Sequence, residues 1–475
     1  MQGCGNMKDL LSANLKNYQP YASPSSTDSS GGRSADISAD SSVNSSTDSS
    51  AGREGSPDIN NTTGNTGKNE EDRHTGQQDQ KASTMKPSDL KPDPKRKIIK
   101  MNANESPYTV PKAVLDQALN SLEITVFNFY PDTDSTELRQ AIGKFLAFPP
   151  EQILVGNGSD EMIDVLLKTF VAAGDGVVSH DPTFSMYQIF TELLGGKYYG
   201  VPAPSDEDFA VNISGIIEKA NQVGAKAVFL CTPNNPTGRK ISKDQVLRVL
   251  EETRGMVVID EAYREFSDQD FLPLLTTAHP RLIILRTFSK ANGLAGVRGG
   301  YLLGSPEAVS YMQQVKPPYN LNVVTQKLLT AYLNYLQTRE GSALIEGRIL
   351  EIRREREMLY RTLQDLPGFR AYPGAGNFIS FRVQKHRDTN SAATDKNSPG
   401  GSDDAYGAGS QLFDDAYGAT PQQFDETLDG KLLTEGFQIK KFRHQNIPYY
   451  RISLGTPKEN RQLIETLQGL YPSDP

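Results

Sequence analysis

Cysteine is almost missing from this chain: Cys4 and Cys231 are the only two in 475 residues. Cys231 lies in an apolar run that reads as a core strand, so a bridge is not expected and a reducing, cytoplasmic setting fits. Five histidines and two cysteines offer no metal-ligand spacing, so no metal centre is expected. Basic residues are outnumbered, giving a net charge of −8 and a pI near 5.4, which argues against nucleic acid as a principal partner. No apolar run is long enough to span a bilayer, so no membrane partner is expected. The opening Met1-Gln2-Gly3-Cys4-Gly5-Asn6-Met7 lacks the basic and apolar regions of a secretory signal, and glycine is not at position two for myristoylation.

Hydrophobic residues make up only 36% of the chain, and the shortage is local. Residues 8–21 are mildly amphipathic. From Ser23 to Gly55 the chain is mainly Ser, Asp, Gly, Thr and Ala, and residues 61–82 are mostly polar. Too little apolar surface is available there to offset ordering entropy, so the tract 22–98 is expected to be disordered. A second insertion, 385–419, repeats Asp403-Asp404-Ala405-Tyr406-Gly407-Ala408 as Asp414-Asp415-Ala416-Tyr417-Gly418-Ala419. One duplicated hexapeptide is too short for a solenoid and reads as a surface loop.

Between these tracts the pattern is regular. Strands and helices alternate up to Leu303, which predicts an α/β fold with a mostly parallel sheet. Pro306 to Leu366 is long-helical. Residues 369–383 and 422–472 read as strand pairs with helices, a smaller α+β domain. The expected divisions are an N-terminal segment 1–21, the tract 22–98, a large domain 99–337 and a small domain 338–475, with 99–122 contributing to the small domain.

Chemistry concentrates after three strands. The apolar run Leu282 to Leu285 leads into Arg286-Thr287-Phe288-Ser289-Lys290, with Arg298 eight residues beyond the lysine. A lysine directly after a core strand should sit at the crevice where α/β sheets bind ligands. Thr287, Ser289 and Arg298 are suited to a phosphate. A lysine amine beside a phosphate site suggests capture of pyridoxal 5′-phosphate. Alone, this stretch leaves that reading level with a loop carrying a solvated lysine. Upstream, Met256 to Asp260 is a strand ending in an acid that can pair with a protonated pyridine nitrogen, and Tyr263 lies three residues on. A third strand, Ala227 to Cys231, runs into Thr232-Pro233-Asn234-Asn235-Pro236-Thr237-Gly238, where Asn235 could donate to the ring's phenolic oxygen.

These ordered motifs resemble the fold-type-I pyridoxal-phosphate aminotransferases, and within them the histidinol-phosphate aminotransferase branch. Asn102-Ala103-Asn104-Glu105-Ser106-Pro107, Tyr130-Pro131-Asp132, Gly156-Asn157-Gly158-Ser159-Asp160-Glu161 and Pro182-Thr183-Phe184-Ser185-Met186-Tyr187 carry the same likeness. It covers about residues 99–384 and 420–472. The resemblance implies a large domain with a seven-stranded-type sheet, a smaller C-terminal domain, and a catalytic set of Lys290, Asp260 and Tyr263. Lys290 would hold the cofactor and then carry the proton shifted during transamination. Phe184 would cover the ring, with Ser159, Asp160, Thr287, Ser289 and Arg298 at the cofactor phosphate. Tyr130 would reach that phosphate in a neighbouring subunit, making a homodimer. Asn104, Asn235 and Arg451 would contact substrate. The branch's second substrate arginine is replaced: Gly436 is followed by Lys440, with Lys441 and Arg443 near. Pro20-Tyr21 resembles a segment that folds over the substrate.

The expected reaction is transamination of histidinol phosphate with 2-oxoglutarate, as a step of histidine biosynthesis. An aromatic amino acid as donor, or decarboxylation of a phosphorylated amino acid, are the competing readings, with Arg451 counting weakly against decarboxylation. A cofactor-sensing regulator would need a DNA-binding module, and no helix-turn-helix pattern is present.

Overall fold

Two sheets organise the described residues, which in this computed structural model are 7–13, 15, 97–123, 127–205, 207–275, 279–384 and 427–472. Pro20, Tyr21, nearly all of the tract 22–98 and the insertion 385–419 lie outside them. In chain order β1 (Ile99–Met101) belongs to the smaller sheet. β2 (Ile153–Asn157), β3 (Gly176–Asp181), β4 (Lys197–Pro202), β5 (Ala227–Cys231), β6 (Met256–Asp260), β7 (Leu282–Thr287) and β8 (Gly299–Leu303) form the larger one, in the order β2-β8-β7-β6-β5-β3-β4. Neighbours pair in parallel except around β8, which runs antiparallel to β2 and β7. The expected mostly parallel, seven-stranded α/β architecture is what is found.

Burial on both faces explains why the central strands read as unbroken apolar runs. Their side chains still alternate. Val228, Leu230, Val257, Ile259 and Ile284 enter one core cluster, while Ala227, Phe229, Met256, Val258, Ile283 and Leu285 enter the other. The crossovers place the carboxyl ends of β5, β6 and β7 side by side, and each ends in one of the polar clusters.

β9 (Phe369–Tyr372), β10 (Phe378–Val383), β11 (Phe437–His444) and β12 (Ile447–Ser453) complete the smaller sheet, ordered β1-β11-β12-β10-β9. β1 pairs parallel with β11, and the remaining pairs are antiparallel. The stretch 99–122 divides between the sheets. β1 extends the small sheet, whereas helix α1 (Lys112–Glu123) buries Val114 and Ala118 in the large core. An i, i+4 apolar pair seats a helix on the core it faces.

Helix α2 (Gly158–Phe170) follows β2 directly. At its far end the N-terminal segment docks. Met7 and Leu11 are buried beside Met162, Val165 and Phe170, Ser12 N donates to Thr169 O at 2.8 Å, and Ser12 Oγ donates to Lys168 O at 3.2 Å. Those bonds satisfy carbonyls that the last turn of a helix leaves open.

Candidate active site

Asp260 is the last residue of β6 and only 3% exposed. Burial pushes its carboxyl up to about 6, while hydrogen bonds from Tyr187 and the Ala262 backbone pull the other way. Tyr187 donates to Oδ2 at 2.6 Å, and Ala262 N donates to Oδ1 at 3.0 Å. A buried carboxylate held so close to neutrality is poised for a cationic partner. The sequence reading missed Tyr187, quoting it within a motif without giving it a role. The available signal was a tyrosine in a helix that packs on the sheet, since a buried hydroxyl needs a partner. Its ring stacks on Phe229 at 4.5 Å and meets the edge of Phe184 at 5.6 Å. Phe184 lines the cleft.

β7 delivers the next group. Thr287 ends the strand, and its Oγ1 lies 3.0 Å from Ser289 Oγ and accepts from Ser289 N at 3.1 Å. Lys290 follows, its Nζ donating to Ala103 O at 3.1 Å. Burial, followed by the positive charge of Arg451, lowers its amine to about 8. Arg298 adopts φ 57 and reaches the start of α2, where its Nη2 lies 3.2 Å from Asp160 Oδ2. Gly158 there has φ +79, and a Cβ on it would stand 2.8 Å from Arg298 Nη2.

These residues fit pyridoxal phosphate. The N-terminus of a 13-residue helix, two hydroxyls and a guanidinium converge beside a glycine of positive φ, which suits a phosphate dianion. A buried acid and a lysine of lowered pKa share the cleft with that cradle, and the cleft's volume is about 730 Å³.

The small sheet supplies the opposite wall. Arg451 in β12 is buried. Its Nη2 donates to Asn102 O at 2.6 Å, its Nη1 donates to Asn235 Oδ1, and its Nε has no partner among the described residues. With Oδ1 engaged, Asn235 keeps its NH₂ as a donor. The loop carrying Asn235 is pinned to the small-sheet side through its own carbonyls: Ala375 N donates to Gly238 O at 2.8 Å, and Ser380 Oγ donates to Pro236 O. The approach is close enough that a Cβ on Gly238 would lie 2.7 Å from the Cα of Gly374.

Lys440 in β11 pairs directly with Arg451. Directly opposed residues of an antiparallel pair share a face, so Lys440 and Arg451 both front the cleft, and Lys441 and Arg443, further along β11, line it as well. Tyr263 and Asn104 line the same space and are hydrogen-bonded to each other, Asn104 Nδ2 donating to Tyr263 Oη at 2.9 Å. Asn104 is 1% exposed, and its amide is engaged by Tyr263 and Ser453. Ser159 and Asp160 line the phosphate end. Tyr130 does not join the cleft of its own chain; it is 80% exposed and stacked on Tyr319 at 4.5 Å. Tyr21 lies outside the described residues.

Comparison with known proteins agrees with this architecture. A family model described as aminotransferase class I and II matches residues 96–467. The histidinol-phosphate aminotransferase of Thermococcus kodakarensis is 40% identical over 288 residues, 61% of this chain and 80% of that protein. The protein of the same name from Ruminiclostridium cellulolyticum is 37% identical over 292 residues, with the same shares covered. Among solved structures, histidinol-phosphate aminotransferase from Sinorhizobium meliloti in complex with pyridoxal-5′-phosphate superposes with a TM-score of 0.64 at 23% identity, covering 82% of this chain and 96% of that one. L-threonine-O-3-phosphate decarboxylase from Porphyromonas gingivalis gives 0.60 at 20%, covering 78% and 99%. The structural likenesses concern the fold.

Proposed function

The chain belongs to the class I and II aminotransferase family and is a pyridoxal-phosphate-dependent enzyme, and from that premise we propose that it transaminates histidinol phosphate with 2-oxoglutarate, giving imidazole-acetol phosphate and glutamate. The observation that carries the choice of donor is the register of β11 and β12, which sets Lys440 beside Arg451 on the cleft face. Histidinol phosphate has no α-carboxylate and bears a phosphate ester one carbon from the reacting centre. Two adjacent cations suit such a dianion better than a lone carboxylate, although a lysine provides a point charge where an arginine would provide a fork.

When bound, pyridoxal phosphate supplies an electron sink for the pair released at the substrate Cα. The remaining work falls to this chain's side chains. Lys290, with its amine lowered to about 8, would take the proton from the substrate Cα and hand it to the cofactor carbon bonded to the substrate nitrogen. Asp260 holds a proton on the ring nitrogen, and Tyr187 holds Asp260. Asn235 and Tyr263 donate toward the phenolic oxygen, and Phe184 covers the ring. The start of α2, with Ser159, Asp160, Thr287, Ser289 and Arg298, binds the cofactor phosphate. Arg451 also receives a carboxylate of 2-oxoglutarate.

The working form in this reading is a cytoplasmic homodimer. Tyr130, exposed on its own chain, reaches the phosphate site of the second copy. No helix among the described residues is long and apolar enough to cross a membrane.

The test is a half-reaction screen that follows conversion of the cofactor to its pyridoxamine form at fixed ionic strength. Histidinol phosphate should convert it much faster than histidinol or phenylalanine. Lys440→Ala should raise the KM for histidinol phosphate about 10-fold (~1.4 kcal/mol) and spare the unphosphorylated donors. Preference for phenylalanine or tyrosine, with Lys440→Ala silent, would overturn the choice of donor.

A further inference from the structure

The geometry points to Ser453 as the residue that sets the hydrogen-bond direction of Tyr263, acting through Asn104. The inference rests on the reading that the Tyr263 hydroxyl faces the bound cofactor. Ser453 is the last residue of β12, and Asn104 lies three residues beyond β1 with φ 52. Both are buried. Asn104 N donates to Ser453 Oγ at 2.8 Å, and Ser453 Oγ donates to Asn104 Oδ1 at 3.0 Å. Asn104 Nδ2 then faces Tyr263 Oη at 2.9 Å, and Asn377 Nδ2 donates to Asn104 O at 3.0 Å.

A side-chain amide can sit either way round, and its neighbours decide which. Here the decisive neighbour is the Ser453 hydroxyl proton. If the amide were turned over, that proton would face an NH₂ group, and Asn104 Oδ1 is its only acceptor among the described residues. Turning the amide would also reverse Tyr263. A phenol that accepts from Asn104 keeps its own proton for the cleft. A phenol facing Oδ1 would give its proton to Asn104 and could not donate to an anionic oxygen of the cofactor. Ser453 is thus a positioning residue, and it sits on the small sheet while the tyrosine it directs follows a strand of the large one.

The test follows the absorbance of bound pyridoxal phosphate against pH, without substrate. A donor to the phenolic oxygen favours its anion, so losing that donor moves the titration midpoint upward. Tyr263→Phe should shift it by about one unit or more, and Ser453→Ala should shift it the same way by roughly half as much or more. Ser453→Thr, which keeps the hydroxyl, should restore a midpoint close to that of the unaltered chain. An unmoved midpoint in Ser453→Ala beside a shifted Tyr263→Phe overturns the inference and leaves the reading of Tyr263 standing. An unmoved Tyr263→Phe overturns both. A threonine variant shifted as far as the alanine one also overturns the inference, since shape and not the hydrogen bond would then be responsible. Should Ser453→Ala fail to fold, Ser453→Cys, a weak donor of similar shape, carries the same expectation with a smaller shift, and no shift there counts equally against it.

Discussion

Tyr187 gives its hydroxyl proton to Asp260 across 2.6 Å, joining a helix on the face of the large sheet to the end of its central strand. The bond holds one oxygen of a carboxylate whose other oxygen is held by the Ala262 backbone. Tyr187→Phe removes one of the two groups that oppose the effect of burial, so the Asp260 pKa should rise further. A hydrogen bond to a charged group is worth roughly 1.5–3 kcal/mol, so kcat/KM should fall about 10- to 100-fold. A variant within about twofold of the unaltered enzyme would show that Asp260 does not depend on this hydroxyl.

Asp260 should also cost stability before cofactor binds. Its carboxyl stands at about 6 in the fold against an ordinary value of 3.8. The folded chain therefore holds this proton more tightly than the unfolded chain does. Below both values the group imposes no penalty. As pH rises from about 4 to about 6 the folded state loses stability, by up to about 3 kcal/mol. Denaturant melts of cofactor-free protein should show this component, and Asp260→Asn should lack it. Equal slopes in the two proteins would contradict the assignment.

Lys290 should react as an unusually acidic amine. Its free base should accumulate as pH rises through about 8, well below the 10.5 of an ordinary lysine. The rate at which cofactor-free protein captures pyridoxal phosphate should rise with the same midpoint. Arg451→Met removes a positive charge that favours the neutral amine, so the midpoint should move upward. A downward move, or none, would separate Lys290 from Arg451 electrostatically.

Gly158→Ala tests the phosphate cradle. The new Cβ would press on the Arg298 guanidinium, and the residue would have to keep φ +79. Left-handed backbone costs a side-chain-bearing residue about 1–2 kcal/mol, so both stability and cofactor affinity should drop. We expect binding of pyridoxal phosphate to weaken about 10-fold or more (~1.4 kcal/mol), measured by titration of the cofactor-free protein.

The sheet was legible because its central strands are buried on both faces and so read as runs such as Leu282–Leu285. Asp260, Thr287 and Lys290 were legible because each stands at or just after the end of such a run. Tyr187 was harder to see, since its bond partner lies 73 residues away and no local pattern links them. The bond between Asn104 and Ser453 was equally hidden, since the two lie 349 residues apart. The seating of α1 was hidden for a similar reason. Val114 and Ala118 mark an apolar face, and only tertiary packing decides which core receives it. The pairing of Lys440 with Arg451 became readable through strand register, which sequence alone left open.

The backbone contact between Gly238 and Gly374 bears on how this enzyme could change over generations. A Cβ on Gly238 would lie 2.7 Å from one glycine's Cα, and a Cβ on Gly374 would lie 3.1 Å from the other's. The loop that carries Asn235 and the turn before β10 are therefore moulded closely to each other, with no room for a side chain at 238 and little at 374. Selection for a new amine donor would find its raw material elsewhere, at Lys440 and along β11, where side chains front the cleft. A randomised library selected for any substrate should return glycine at 238 and small residues at 374. The seam between the two sheets would remain constant while the pocket beside it diversified.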